Sequence, residues 1–282
     1  MDCEPAATKW APHGPKNWEL SARSTEGFCS HLLNAGYAAT LFLTPRCAEE
    51  HGPLLEELAA RGVEVGLHVD PPSLLDGRFK RRFGGYEEED QRAFVEAGAE
   101  EIHDAVGIWP RSFRPGRFSA NDATFRVLYS LGFRQSSASA PGRQIARDYA
   151  LWTDALPDAH YVGPEDRLRP GTLPFLELPV TSDAQRFYRS GFPYELNIEM
   201  SSFEDWHRPL IDAQLERMAD SQIPFRALCV YTSNVNQYHL AQDKHTLTLL
   251  AMLDYFDTLN EQYEVRPVTL AQAHERFRAT TL

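Results

Sequence analysis

Apolar positions along this chain follow two alternating patterns. Short runs of large and β-branched residues at 37–43, 63–69, 112–114, 133–137, 175–179, 227–231 and 265–268 read as buried strands. Between several of them, apolar residues return every three or four positions, the period of a helix with one buried face. This spacing predicts helices over about 20–35, 48–61, 87–106 and 122–131, the third with Phe94, Gly98, Ile102 and Ala105 on one face. Three of the four stop at a glycine (Gly36, Gly62 and Gly132), the residue that most easily forms a left-handed C-terminal cap. A final helix opens with Thr-Leu-Ala-Gln at 269–272, the spacing of a capping box.

Strands separated by helices of this length need parallel pairing with crossover connections. The expected class is therefore α/β, a barrel or an open sheet, with its chemistry at the carboxyl ends of the strands. No internal repeat interrupts the pattern. The stretch 138–173, rich in Pro, Gly, Asp and Arg, reads as a long excursion within one domain spanning 1–282.

Charge narrows the function. The net charge is −12 and the longest basic run is Lys80-Arg81-Arg82, which argues against nucleic acid as a partner. The four cysteines, Cys3, Cys29, Cys47 and Cys229, form no C-x-x-C pair, so neither a thiolate zinc site nor a redox dithiol is expected. No apolar run reaches the 18 residues of a membrane span, and the first residues lack the charged-then-apolar pattern of a secretion signal. A cytoplasmic protein is the expectation from these features.

Four stretches could carry chemistry. In Gly-Val-Glu-Val-Gly-Leu-His-Val-Asp-Pro, 62–71, a strand ends with His68 and Asp70 two positions apart, so both side chains leave the same face. An imidazole and a carboxylate so placed suit a divalent metal, or simply bond to each other. Asp2 and Glu4 share the same spacing in Asp-Cys-Glu-Pro, where solvated acids are equally expected. In Ser-Phe-Arg-Pro-Gly-Arg-Phe, 112–118, a short strand delivers Arg114 and a turn follows at Arg117. Arginine there can orient a carboxylate with two donors, or be one more surface cation. The fourth stretch, 228–245, ends a strand at Tyr231. It continues with Thr232, Ser233, Asn234 and Asn236 and then His239 and His245, as a site or as an ordinary polar loop.

In this order the four stretches resemble the polysaccharide deacetylase family, carbohydrate esterase family 4. Met-Asp-Cys-Glu-Pro is similar to its acidic first motif, Ala-Thr-Leu-Phe-Leu-Thr-Pro (39–45) to the next strand, 62–71 to its histidine motif and Phe-Arg-Pro-Gly-Arg-Phe to its arginine motif. Ser-Ser-Ala-Ser-Ala-Pro-Gly-Arg (136–143), Phe-Leu-Glu-Leu-Pro-Val-Thr (175–181) and Val-Thr-Leu-Ala-Gln-Ala (268–273) are similar to later segments.

The resemblance implies a deformed (β/α)7-type barrel. It also implies a metal-dependent hydrolase that removes acetyl groups from an N- or O-acetylated carbohydrate. By motif, Asp2 would be the general base, held by Arg114. Glu4, His68 and Asp70 would hold a divalent ion, zinc in the first instance, and His239 would be a candidate acid. The chain departs from the pattern in four places. Asp70 and Pro72 stand where the family carries a second histidine, Glu4 stands where aspartate is usual, and the late motif reads Tyr-Thr-Ser-Asn without a histidine. Only Met1 precedes Asp2, so a barrel that lacks or opens at its first strand is expected, with both acids on a fraying end.

These departures leave two other readings. One is a degenerate relative that binds carbohydrate or a partner protein without turnover. The other is a hydrolase of cyclic amides or imides. Trp10, Trp18 and Trp152 could stack on a sugar or on a flat heterocycle alike.

Overall fold

The computed structural model describes residues 1–9, 12–74, 77–188, 191–200 and 202–281. Its first half alternates strand and helix as the periodicity requires. Strands β1 (Asp2–Cys3), β2 (Thr40–Leu43), β3 (Glu64–Val69), β4 (Ser112–Pro115) and β5 (Gln135–Ser136) pair side by side, all parallel. Helices α1 (Trp18–Asn34), α2 (Pro45–Ala60), α3 (Glu88–Val106) and α4 (Thr124–Ser130) make the crossovers. Asn17 caps α1 by accepting from the Leu20 amide, α2 opens on a proline, and α3 ends at Gly107 with φ +73°.

Three small strand pairs follow: β6 (Gln144–Ile145) with β7 (Ala150–Leu151), β8 (His160–Tyr161) with β9 (Leu176–Glu177), and β10 (Ser182–Phe187) with β11 (Pro193–Glu195). β9 adds to β5 in parallel and β8 flanks it, so the main sheet runs β1-β2-β3-β4-β5-β9-β8. The chain then returns toward β1 by isolated contacts. Leu196 donates to the Thr181 carbonyl, Tyr231 bridges Asn197, and Ser233 bridges Asp2. Helices α5 (Arg208–Asp220), α6 (Lys244–Leu259) and α7 (Leu270–Thr281) pack outside this arc.

Two expected strands do not form. Residues 227–230 take no ladder, and the Cys229 carbonyl accepts from the Thr181 amide. Residues 265–268 run irregularly into α7. Both segments lack a neighbouring strand long enough to satisfy their amides and carbonyls, so apolar composition alone does not make them sheet. They line an apolar cavity of about 710 Å³, floored by Phe42, Arg114 and Tyr231. Helices α5 and α6 were not anticipated, because their buried positions are interleaved with polar ones.

The first strand is short but present, which corrects the expected gap. The Phe42 amide donates to the Met1 carbonyl, the Thr44 amide to that of Cys3, and the Asp2 amide to Thr232 on the other side. Cys3 is 1% exposed. The acids it carries are therefore held on both flanks and do not sit on a fraying end.

Parallel registration stacks equivalent positions across the sheet. Leu43, Leu67 and Phe113 share one row, pointing into the apolar layer beneath the helices. The next row up pairs His68 with Arg114, each one residue before its strand ends, and Thr44 lies just past the end of β2. Gly66, two residues before His68, leaves room for the Phe42 ring: a Cβ there would lie 2.9 Å from that ring. The Phe42 ring in turn supports Arg114, whose guanidinium carbon sits 4.5 Å above it.

Candidate active site

Three acid–base pairs meet where β1, β3 and β4 end. Arg114 donates to the Asp2 carboxylate at 2.9 Å while its other donors bond the Ser137 carbonyl and hydroxyl. The His68 ring Nε2 lies 3.3 Å from Glu4. Arg82 donates through one nitrogen to both oxygens of Asp70, at 2.6 and 2.5 Å. The sequence placed Asp2, Glu4, His68, Asp70 and Arg114 in three separate motifs, and the fold brings all five to one end of the sheet.

The loop after Tyr231 locks the acidic strand in place. Asn234 accepts from the Glu4 amide at 2.9 Å and donates back to its carbonyl at 3.0 Å. It also donates to Ser21 of α1. Glu199 gathers the same loop by accepting from the Ser233 amide and hydroxyl and from Asn236. The Tyr-Thr-Ser-Asn segment thus supplies an anchor where the related motif supplies a histidine. On the opposite flank Gly116 packs against Asp70; a Cβ at 116 would come 2.6 Å from the Asp70 side chain. Arg117 and Phe118 follow with φ of +60° and +59°. This turn leaves Arg117 exposed and buries Phe118 between the guanidinium groups of Arg114 and Arg143.

Electrostatics follow from burial and pairing. Burial pushes the Asp2 carboxyl up, but the positive charges of Arg114 and His68 outweigh it and hold the group below its ordinary value. Burial pulls His68 down, and the hydrogen bond to Glu4 with the charges of Glu4, Asp2 and Asp70 lifts it to about 8. Burial and the Glu4 charge raise Asp70, against the opposing pull of Arg82.

His68 is therefore an imidazolium at neutral pH. Its ring is expected to titrate near 8 by NMR and to fall when Glu4 is replaced by glutamine. The folded value lies above the usual ~6.5. This group's contribution to stability is accordingly full below about pH 6.5 and is lost as pH rises through about 8. Indistinguishable titrations in wild type and E4Q would contradict the pairing.

As a metal centre this donor set does not fit. Among the described residues no group of three His, Cys, Asp or Glu is arranged to hold an ion. Both oxygens of Asp70 are engaged by a guanidinium, and the His68 nitrogen that would ligate is turned to Glu4.

Other expected participants lie elsewhere. The His239 backbone packs against Gly27 of α1, and its charged neighbours are Arg23 and Asp243, not the Asp2 or His68 pairs. His245 pairs with Asp243 at the start of α6. Trp152 is fully buried and donates to the Phe118 carbonyl, and Trp18 packs edge-on against His51, so these two rings serve the core. Trp10 lies outside the described residues. Arg82 was missed: as part of a three-residue basic run, it carried no signal that its partner would be Asp70.

Residues 14–136 match the family model described as polysaccharide deacetylase. The matched segment holds His68, Asp70 and Arg114, and Asp2 and Glu4 precede it. Three solved structures align with 93% of the chain. One is a probable polysaccharide deacetylase from Pseudomonas aeruginosa PAO1, 15% identical over 75% of that protein with a TM-score of 0.62. A second, from Mycobacterium smegmatis and assigned to the polysaccharide deacetylases, is 16% identical over 79% with a TM-score of 0.59. The third is Puue allantoinase, 15% identical over 74% with a TM-score of 0.62. No curated protein matches the chain. The chain thus matches the polysaccharide deacetylase model over 14–136 and shares the α/β fold of these three proteins over nearly its whole length. No helix among the described residues is long and apolar enough to cross a membrane.

Proposed function

We propose that this protein hydrolyses the amide bond of an N-acetylated carbohydrate, with Asp2 as general base. The observation that carries this reading is the Asp2–Arg114 pair at 2.9 Å, its guanidinium buried, set beside Glu4–His68 at the strand ends. Arg114 keeps the carboxylate ionised at neutral pH and fixes its direction, the condition for accepting a proton from water.

The water oxygen bonds to the carbonyl carbon as its proton passes to Asp2, and the C=O electron pair moves onto the oxygen. When that pair returns, the C–N bond breaks and the nitrogen takes the proton back from Asp2. Acetic acid, which ionises to acetate in solvent, and a free amine leave, and Asp2 is a carboxylate again. Glu4 and His68 place an imidazolium next to this base, which holds Asp2 low by its charge.

A cyclic imide is the second reading, favoured by the closed Asp70–Arg82 pair, because its carbonyl is more electrophilic and needs less polarisation. The test is a substrate panel of acetylated oligosaccharides and cyclic amides or imides, with acetate release and ring opening both measured. Acetate from the sugars supports the first reading and ring opening alone supports the second. Sugar binding with neither product would leave a carbohydrate-binding protein without turnover.

A further inference from the structure

We propose that Arg82 takes the place of a metal cation in this site, anchored on Asp70 and offering its remaining donors to the carbonyl oxygen of the substrate. The step rests on the amide hydrolysis proposed above, but the placement of Arg82 is independent of it.

Three observations carry the inference. First, Arg82 uses a single nitrogen, Nη1, for both oxygens of Asp70. Among the described residues nothing accepts a hydrogen bond from its Nη2, and Nε has only a loose ion pair with Asp148 at 3.8 Å. Nε and Nη2 form the fork that matches a carboxylate or a developing oxyanion. Second, the Arg82 side chain is 23% exposed, whereas Asp70 behind it is 13% exposed. Third, Asp70 stands two residues after His68 on the same strand end, the location a second ligand would take, and its charge is already neutralised.

Gly116 maintains this arrangement by leaving Asp70 room to face Arg82. A fixed guanidinium aimed at an oxygen that gains charge in the transition state acts as a preorganised donor. When water adds to the amide carbon, the C=O electron pair settles on an oxygen facing this fork, while the proton goes to Asp2 as above. The same fork accepts the product carboxylate.

Two probes test this without relying on turnover. Zinc chloride alone, titrated calorimetrically at pH 7, is expected to bind R82M at least tenfold more tightly than wild type, because Asp70 is released. That gain should vanish in R82M/H68A. Acetate alone, followed by NMR, is expected to bind R82M at least tenfold more weakly than wild type, with R82K between them.

Equal zinc affinity in wild type and R82M, whether tight or absent, overturns the placement, as does a gain that survives H68A. Unchanged acetate affinity in R82M overturns the carbonyl role. Should R82M not fold, the acetate comparison is made with R82K and the zinc comparison with R82Q, under the same criteria. Failure of the hydrolysis panel with these binding results intact would remove the proposed reaction and leave the anion site.

Discussion

Replacing Asp2 by alanine is expected to abolish hydrolysis and to destabilise the fold by about 3–5 kcal/mol, because it strands a buried guanidinium. Arg114 is 2% exposed, sits on the Phe42 ring and contacts Ser137 and Cys229 besides Asp2. None of those neighbours carries a compensating negative charge. Asp2→Asn keeps an acceptor for the guanidinium and should cost much less stability. It removes the base, so kcat/KM should fall by about 10²- to 10⁴-fold. Chemical denaturation of both variants separates the two effects: wild-type stability in D2A would mean that the Arg114 charge is satisfied in some other way.

A comparable loss is expected from Glu195→Ala, again about 3–5 kcal/mol. Arg143 donates to Glu195 through two nitrogens at 3.0 and 2.5 Å, and Tyr231 donates to the same carboxylate at 2.6 Å. Asn197 donates to the Tyr231 hydroxyl at 3.0 Å, so the cluster fixes the chain exactly where it returns toward β1. All four side chains are buried. Burial pulls the Arg143 guanidinium down, yet the nearby Glu195 and Tyr231 raise it above its usual value. Removing the carboxylate leaves Arg143 charged with no counter-ion. Glu195→Gln retains the hydrogen-bond geometry and should recover part of the loss. Equal unfolding midpoints for wild type and E195A would contradict this role. Tyr231 lies beside Arg114, with the guanidinium carbon 5.7 Å from its ring, so E195A should also lower activity by loosening the support of that arginine.

The first half of the fold is legible in the sequence because each element satisfies itself locally. The strands at 40–43, 64–69 and 112–115 are dense apolar runs, and the helices between them carry a clear buried stripe and recognisable ends. From β5 onward, the pairings that extend the main sheet depend on distant partners. Strands of two residues such as β5 and β9 are held by their neighbours, not by propensity. Runs as apolar as 227–231 stay irregular because no full strand lies alongside. Glu177, set within an apolar run, shows how such positions mislead: it is buried and accepts from Ser136, Ser139 and the amides of Ala138 and Ser139, all on the single segment that carries β5 and the turn after it.

The candidate site was legible to the extent that its residues sit in motifs. His68 and Arg114 are adjacent in register because β3 and β4 pair in parallel, and both lie at strand ends as anticipated. The hold on Glu4 by Asn234 and the capture of Asp70 by Arg82 were not legible. Both join residues far apart or on loops, where neither period nor spacing indicates a partner. The placement of His239 was not legible for the same reason: its position after a strand gave no information about direction, and its backbone packs against Gly27 of α1.

The central claim, that Asp2 is a base positioned by Arg114, is tested most directly by a double-mutant cycle on kcat/KM with Asp2→Asn, Arg114→Gln and the pair, using an acetylated oligosaccharide. The expected result is strong non-additivity: each single variant loses about 10²-fold or more, and the double variant loses little beyond the worse of the two. Fully additive losses, or wild-type turnover in Asp2→Asn, would contradict it.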